Sequence, residues 1–227
     1  MKRFCIPPER SGAFVQAMED VLDVYHLPYN PRRPVVCFDE TSKQLVQHTR
    51  ERIRSRPGQP VRIDDEYERC GTANIFLAVE PLTGLVLLQG TEHRTAVECA
   101  EFLRHLADEV FPAASRILLV SDNLNTHTAA VFYEAFPPAE ARRLTGRFEM
   151  HHTPKHGSWL NIAECQLSVL ARQCLDQRIG SLAQLGRILS AWGRQRRGAP
   201  VRWQFTTAKA RTKLRRLYPI ISSATKY

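Results

Sequence analysis

No stretch of the 227-residue chain approaches the roughly 18 consecutive apolar residues that a membrane-spanning helix requires. The opening MKRFCIPPERSG places prolines and a glutamate where a secretory leader carries its apolar run, so the sequence predicts a cytoplasmic protein that meets no membrane. Its six cysteines stand singly, without CxxC or the Cys/His spacing of a structural zinc site, and read as buried free thiols. No G-x-G-x-x-G follows an apolar run and no P-loop is present, which argues against the common dinucleotide and phosphate cradles. The most informative absence is of acids in the last part of the chain. Residues 177–227 hold twelve Lys or Arg and no Asp or Glu, while the first 176 hold 20 bases against 23 acids. The net charge of +9 therefore resides in the tail. With Trp192 and Trp203 set among those bases, the composition predicts contact with nucleic acid.

The remainder has the make-up of an ordinary globular protein, 43% hydrophobic and 24% charged, with length for one main domain. AFVQAMEDVLDVY (13–25) has apolar residues at helical spacing and is stopped by PYNPRRP. PVVCF (34–38) reads as a buried strand ending on Asp39 and Glu40, and residues 41–73 as a long irregular or hairpin segment. NIFLAVEPLTGLVLLQG (74–90) signals a hairpin around PLTG, residues 95–110 a helix, and RILLVSDN (116–123) a second strand ending on an aspartate. A helix follows, broken at Pro137 and Pro138, with PPAEARRLTGR read as a loop; then come a short strand at 148–152 and a helix from about Trp159 to Gln177. Two more helices are expected over 182–194 and 207–217. A hairpin followed by alternating helices and strands predicts an α/β domain with a mixed sheet.

Asp39 and Asp122 end apolar runs, which in open α/β sheets is where ligands gather, although aspartate also starts turns and caps helices. Glu164 lies at the border of a helical stripe formed by Trp159, Ala163, Leu167, Leu170 and Cys174. A carboxylate there either reaches water or, if the stripe packs on the sheet, requires a cation or a partner. Glu40 and the cluster Asp64, Asp65 and Glu66 are rival metal ligands.

CFDE, VSDNLNTH and HTPKHGSWLNIAE, in that order, resemble the three acidic motifs of DDE transposases, specifically those of bacterial insertion sequences related to the mariner elements. CIPPE, YERCGTANIF, YEAFPPAEARRL and WQFTTAKARTKLRRLYP extend the resemblance from Cys5 to about Pro219. It implies a ribonuclease H-like fold, a central mixed five-stranded sheet flanked by helices. Asp39, Asp122 and Glu164 would be catalytic and would hold two Mg²⁺ (or Mn²⁺) ions, with Asp39 bridging. The implied activity is metal-dependent cleavage of DNA followed by strand transfer of an insertion sequence. An inactive DNA-binding remnant and a stand-alone nuclease of the same fold are the alternatives. Beside the second acid, Asn123 and His127 would either orient a water or contact DNA, or serve a polar turn and helix start; Lys155 and His156 would meet phosphate, and Gly157 would make a turn that Ser158 caps. Arg194, Arg196, Arg197, Lys213 and Arg215 supply the basic surface for DNA. Trp159 reads as core rather than as a platform for a base. The resemblance further implies a nucleoid-associated homodimer acting on element ends and target DNA. Residues 1–33 are expected to form an N-terminal helix and linker, 34–180 the catalytic domain and 181–227 a basic helical extension. A helix-turn-helix portion, separate or fused by frame, would supply recognition of the element ends.

Overall fold

The computed structural model describes residues 9–50, 57–58, 65–122 and 128–220. Pro34 releases the chain into β1 (Val35–His48), a strand of 14 residues. Only Val35 to Phe38 are buried on end; beyond them polar side chains alternate around buried Leu45. That hides most of the strand from a reading based on apolar runs; of the irregular or hairpin segment expected over 41–73, the hairpin is what the described residues form, with β1 running on to His48. Asp39 accordingly lies inside a strand rather than at its end. β2 (Tyr67–Glu80) pairs antiparallel with β1 from Cys37↔Val79 to His48↔Tyr67, with an irregularity between Gln44 and Val46. β3 (Leu85–Thr91) completes the expected second hairpin. Gly84 in its turn has φ 71°, and a Cβ there would come within 2.5 Å of the Ala199 backbone, so both conformation and space require glycine.

The next helix, α2 (Ala96–His105), opens with a capping box between Thr95 and Glu98 and runs on through a π turn, Leu106–Val110. β4 (Ile117–Ser121) then lies parallel to β1, and after α3 (Ala130–Ala135) and α4 (Pro138–Arg147) comes β5 (Phe148–His152), parallel to β4. The order β3-β2-β1-β4-β5 is the mixed five-stranded sheet expected from the sequence. The loop expected over PPAEARRLTGR is instead α4. Pro138 stands at its first turn, where the missing N–H is no loss, and Ala141 and Leu144 face the core. Arg143 ties it to α2's π turn through two bonds to Asp108, at 2.9 and 2.7 Å.

Helices cover both faces of the sheet. On one, Phe102 of α2, Phe132 of α3 and Leu144 of α4 pack on Val36, Phe38 and Phe76. Phe38, Phe76 and Phe102 form an aromatic triangle with centroids 5.6–6.1 Å apart. The other face carries Cys37, Ile75 and Leu77. It is covered by α1 (Gly12–Tyr25), α5 (Ile162–Leu170, with a π turn Ala171–Leu175), α6 (Leu182–Arg196) and α7 (Thr207–Lys213). Among the described residues no helix is long and apolar enough to cross a membrane.

This packing changes the reading of the tail. Trp192 is 2% exposed and donates to Gln173 Oε1 at 2.8 Å, while Trp203 packs against Tyr25 with centroids 5.3 Å apart. Trp192 thus belongs to the core and the partly buried Trp203 packs against it, so neither ring stands free on a nucleic-acid face. Trp159 is likewise packed against the core, edge-on to Phe205, as expected. Arg211 of α7 grips Glu19 of α1 with two 2.8 Å bonds and holds that carboxyl below its ordinary range, so part of the tail's charge is structural.

Candidate active site

β1 and β4 are the two parallel strands at which the sheet's order reverses, since the chain builds leftward through β2 and β3 before crossing to β4. Ligands collect in the crevice at the carboxyl ends of strands at such a reversal. The parallel pairing runs Val35↔Leu118, Val36↔Leu119 and Cys37↔Val120 and goes no further. Continued by two positions, this register sets Asp39 opposite Asp122. Because side chains alternate along a strand, both aspartates share the face of Cys37 and Val120, which is the face α5 covers. Glu164 stands in the first turn of α5, whose Ile162, Ala163 and Leu167 anchor it to that face.

The three acids therefore address one space, and Asp39 registers it electrostatically. Burial, with the Asp122, Glu40 and Glu164 carboxylates nearby, pushes its carboxyl up to about 7 against the pull of the Glu40 amide, which donates to Asp39 Oδ1 at 2.8 Å. The three are not drawn into a closed ligand set: among the described residues, no three His, Cys, Asp or Glu side chains are close enough to hold an ion. Their donors are all carboxylate oxygen, with mutual repulsion that a cation would relieve, and this fits a hard divalent ion such as Mg²⁺ or Mn²⁺.

The rival acids are placed elsewhere. Glu40 points to the opposite face, its side chain 2% exposed and 3.5 Å from the Arg94 guanidinium. Asp65 and Glu66 lie by the far end of the β1/β2 hairpin, ten strand residues or roughly 33 Å from the Asp39 row, their carbonyls bound by Arg178. Asp64, Asn123 and His127 fall outside the described residues.

The approach to α5 also differs in detail from expectation. Pro154 and Gly157 close a turn through a 2.8 Å backbone bond, but the left-handed residue in it is His156, φ 64°. Gly157 is required by proximity instead, because a Cβ would sit 2.6 Å from the Pro154 ring. Ser158 begins a 3₁₀ turn, Ser158–Leu160, and the residue that caps α5 is Asn161. Asn161 is fully buried; its Oδ1 accepts from the Ala163 amide at 3.0 Å, and its Nδ2 donates to the Phe38 carbonyl at 3.0 Å and to Asp39 Oδ2 at 3.4 Å. The sequence signal for it was present, since Asn followed three residues later by Glu is a helix-start pattern.

Lys155 and His156 are exposed beside a cleft of about 590 Å³ that also contains Arg10 and His152. The His152 ring contacts the Asp122 carbonyl at 3.2 Å, which places this cleft next to the acids. Arg10 also lines an adjoining cleft of about 590 Å³ with Arg215 and Arg216. Lys213 is exposed on α7. Arg196 instead binds Gln166 Oε1 at 3.0 Å and lies over the Trp192 ring. Arg194 and Arg197 are exposed, the latter where Gly198 bonds the Gly84 carbonyl at the β2/β3 turn, beyond the end of the sheet opposite the acids.

In a sheet of this order, Asp39 of β1, Asp122 just beyond β4 and Glu164 of α5 lie near the reversal point, an all-carboxylate arrangement suited to a hard divalent cation. Residues 34–186 match the family of DDE superfamily endonucleases, and the chain belongs to that family. Among solved structures it is similar to the Mos1 mariner paired end complex with Mn, at TM-score 0.55 and 18% identity over 88% of this chain and 60% of that one. It is also similar to the Mos1 strand transfer complex, at TM-score 0.56 and 18% identity over 86% and 58% of the two chains. The paired end complex with Mg gives TM-score 0.53 and 18% identity over 85% and 58%. These likenesses establish the ribonuclease H-like fold. The chain spans about 60% of the length of those transposase chains. No curated protein matches it.

Proposed function

We propose that the chain is the catalytic portion of a transposase of a bacterial insertion sequence related to the mariner elements. It would cleave DNA at the element's ends and join the freed 3′-hydroxyl to target DNA. The observation that carries the reading is the crowding of Asp39 by the Asp122 and Glu164 carboxylates, two positions beyond the last β1/β4 pair at the reversal and below the first turn of α5. Asp39, Asp122 and Glu164 would hold two Mg²⁺ or Mn²⁺ ions, Asp39 serving both. When bound, such a pair supplies an activated oxygen nucleophile and charge stabilisation for the leaving oxygen of an in-line displacement. Asp39 must give up its proton to act as a ligand, and its rigid strand fixes where the ions can sit. Glu164 is carried by a helix anchored in the core, so its reach is set by packing rather than by a loop. Relatives solved as paired-end DNA complexes support DNA as the partner. Homodimerisation, nucleoid association in the cytoplasm and a helix-turn-helix portion that recognises element ends belong to the same proposal, as does a division into a catalytic 34–180 with flanking 1–33 and 181–227.

Incubation with supercoiled plasmid and Mg²⁺ tests the reading. Nicking, and joining of a supplied 3′-hydroxyl element end to plasmid, are expected; nicking without joining would indicate a stand-alone nuclease, and the absence of both would refute the proposal. The DNA path is tested separately. Neutralising Arg10, Lys155 and Arg215 together should flatten the dependence of log Kd on log salt by about 3 phosphate contacts' worth, some 0.9 each. Neutralising Arg194 and Arg197 should change the slope by less than one contact. The reverse ranking would place DNA at the other end of the sheet.

A further inference from the structure

Two buried side chains hold the start of α5. Tyr25 of α1 donates its hydroxyl to the Leu160 carbonyl at 2.7 Å and accepts from the Ile162 amide at 3.4 Å. Asn161 bonds the helix on one side and β1 on the other, and its orientation is unambiguous. Oδ1 meets an N–H, the Ala163 amide, whereas Nδ2 meets acceptors, the Phe38 carbonyl and the Asp39 carboxylate. Tyr25 reaches neither Asp39 nor Glu164, whereas Asn161 touches the first and, as the cap, sets the turn that carries the second, three residues on.

We propose that Asn161 is a positioning residue of the carboxylate site, fixing the Asp39 carboxylate and the first turn of α5 against each other through one side-chain amide. The inference rests on the metal-site reading of Asp39 and Glu164. Groups that orient ligands in this way commonly govern affinity by 10- to 100-fold, and Mg²⁺ is strict about ligand geometry. Asn161→Ser retains a good helix cap but has no amide to reach Phe38 or Asp39. Tyr25→Phe removes the other anchor without touching the acids and serves as the control for a purely structural role.

Calorimetric Mg²⁺ titrations of wild type, N161S and Y25F distinguish the roles. N161S should raise the Mg²⁺ Kd by about 10- to 100-fold, and Y25F should leave it within about twofold while lowering the melting temperature. Equal Kd values in N161S and wild type, or an equal loss in Y25F, would overturn the inference. Wild-type protein supplies a second readout that needs no variant: the Asn161 side-chain amide signals in ¹⁵N spectra should move during Mg²⁺ titration and saturate with the calorimetric Kd. Static signals while Mg²⁺ binds would overturn the inference alone, whereas wild type that binds no Mg²⁺ would remove the metal site and this role together.

Discussion

Glu164→Gln is expected to leave the fold intact and to lower Mg²⁺-dependent nicking of plasmid DNA by about 10³-fold or more, the scale on which a single preorganised charge-stabilising group acts. The substitution is nearly isosteric, and glutamine serves as well as glutamate at the third position of a capped helix, so α5 keeps its start. Only the charge is lost. A melting temperature close to wild type alongside abolished nicking would assign the loss to the site. Nicking within about tenfold of wild type would show that Glu164 is a border residue of the helix whose carboxylate reaches only water.

The second large effect concerns Asp39 in metal-free protein. The folded state raises its carboxyl from 3.8 to about 7, so the native protein binds that proton more tightly than the unfolded chain does. Stability associated with it is complete below about pH 4 and declines as pH rises to about 7, where the native carboxyl ionises among Asp122, Glu40 and Glu164. Asp39→Asn removes the titration. Without metal, the variant should exceed wild type in stability at pH 8 by on the order of 1 to 3 kcal/mol, with the gap closing toward pH 4. Urea denaturation at the two pH values measures it. Mg²⁺ should then stabilise wild type and not the variant, because a ligand that binds only the native state raises its unfolding free energy. A gap that widens toward low pH would mean that Asp39 is held as a carboxylate by a partner and is not crowded by acids.

Much of this was legible in the sequence for a physical reason: both faces of the sheet are covered, and strands buried on both faces are written as apolar runs. VVCF, NIFLAVE and ILLV are such runs, and each is a central strand. The second half of β1 was not legible, since from Thr41 to His48 it pairs only with β2 and polar side chains alternate along it. The helix α4 was concealed by its own start, because Pro137 and Pro138 signal a break whether a loop or a helix follows. The acids were found by motif, but their common face depends on the register of β1 with β4, which pairs residues 83 positions apart and is not encoded locally. The tail was the harder case. Charge composition does not reveal that Arg211 closes on Glu19 or that Arg196 lies on Trp192, nor that of the tryptophans among the bases Trp192 is core and Trp203 packs against it.

Calorimetric titration of Mg²⁺ into metal-free wild type and Asp122→Asn tests the central claim, that three carboxylates from β1, the end of β4 and α5 constitute one metal site. Saturable binding of up to two ions in wild type, abolished in the variant although its near-ultraviolet circular dichroism is unchanged, is the predicted result. Binding of equal affinity in both proteins, or none in wild type, would contradict it.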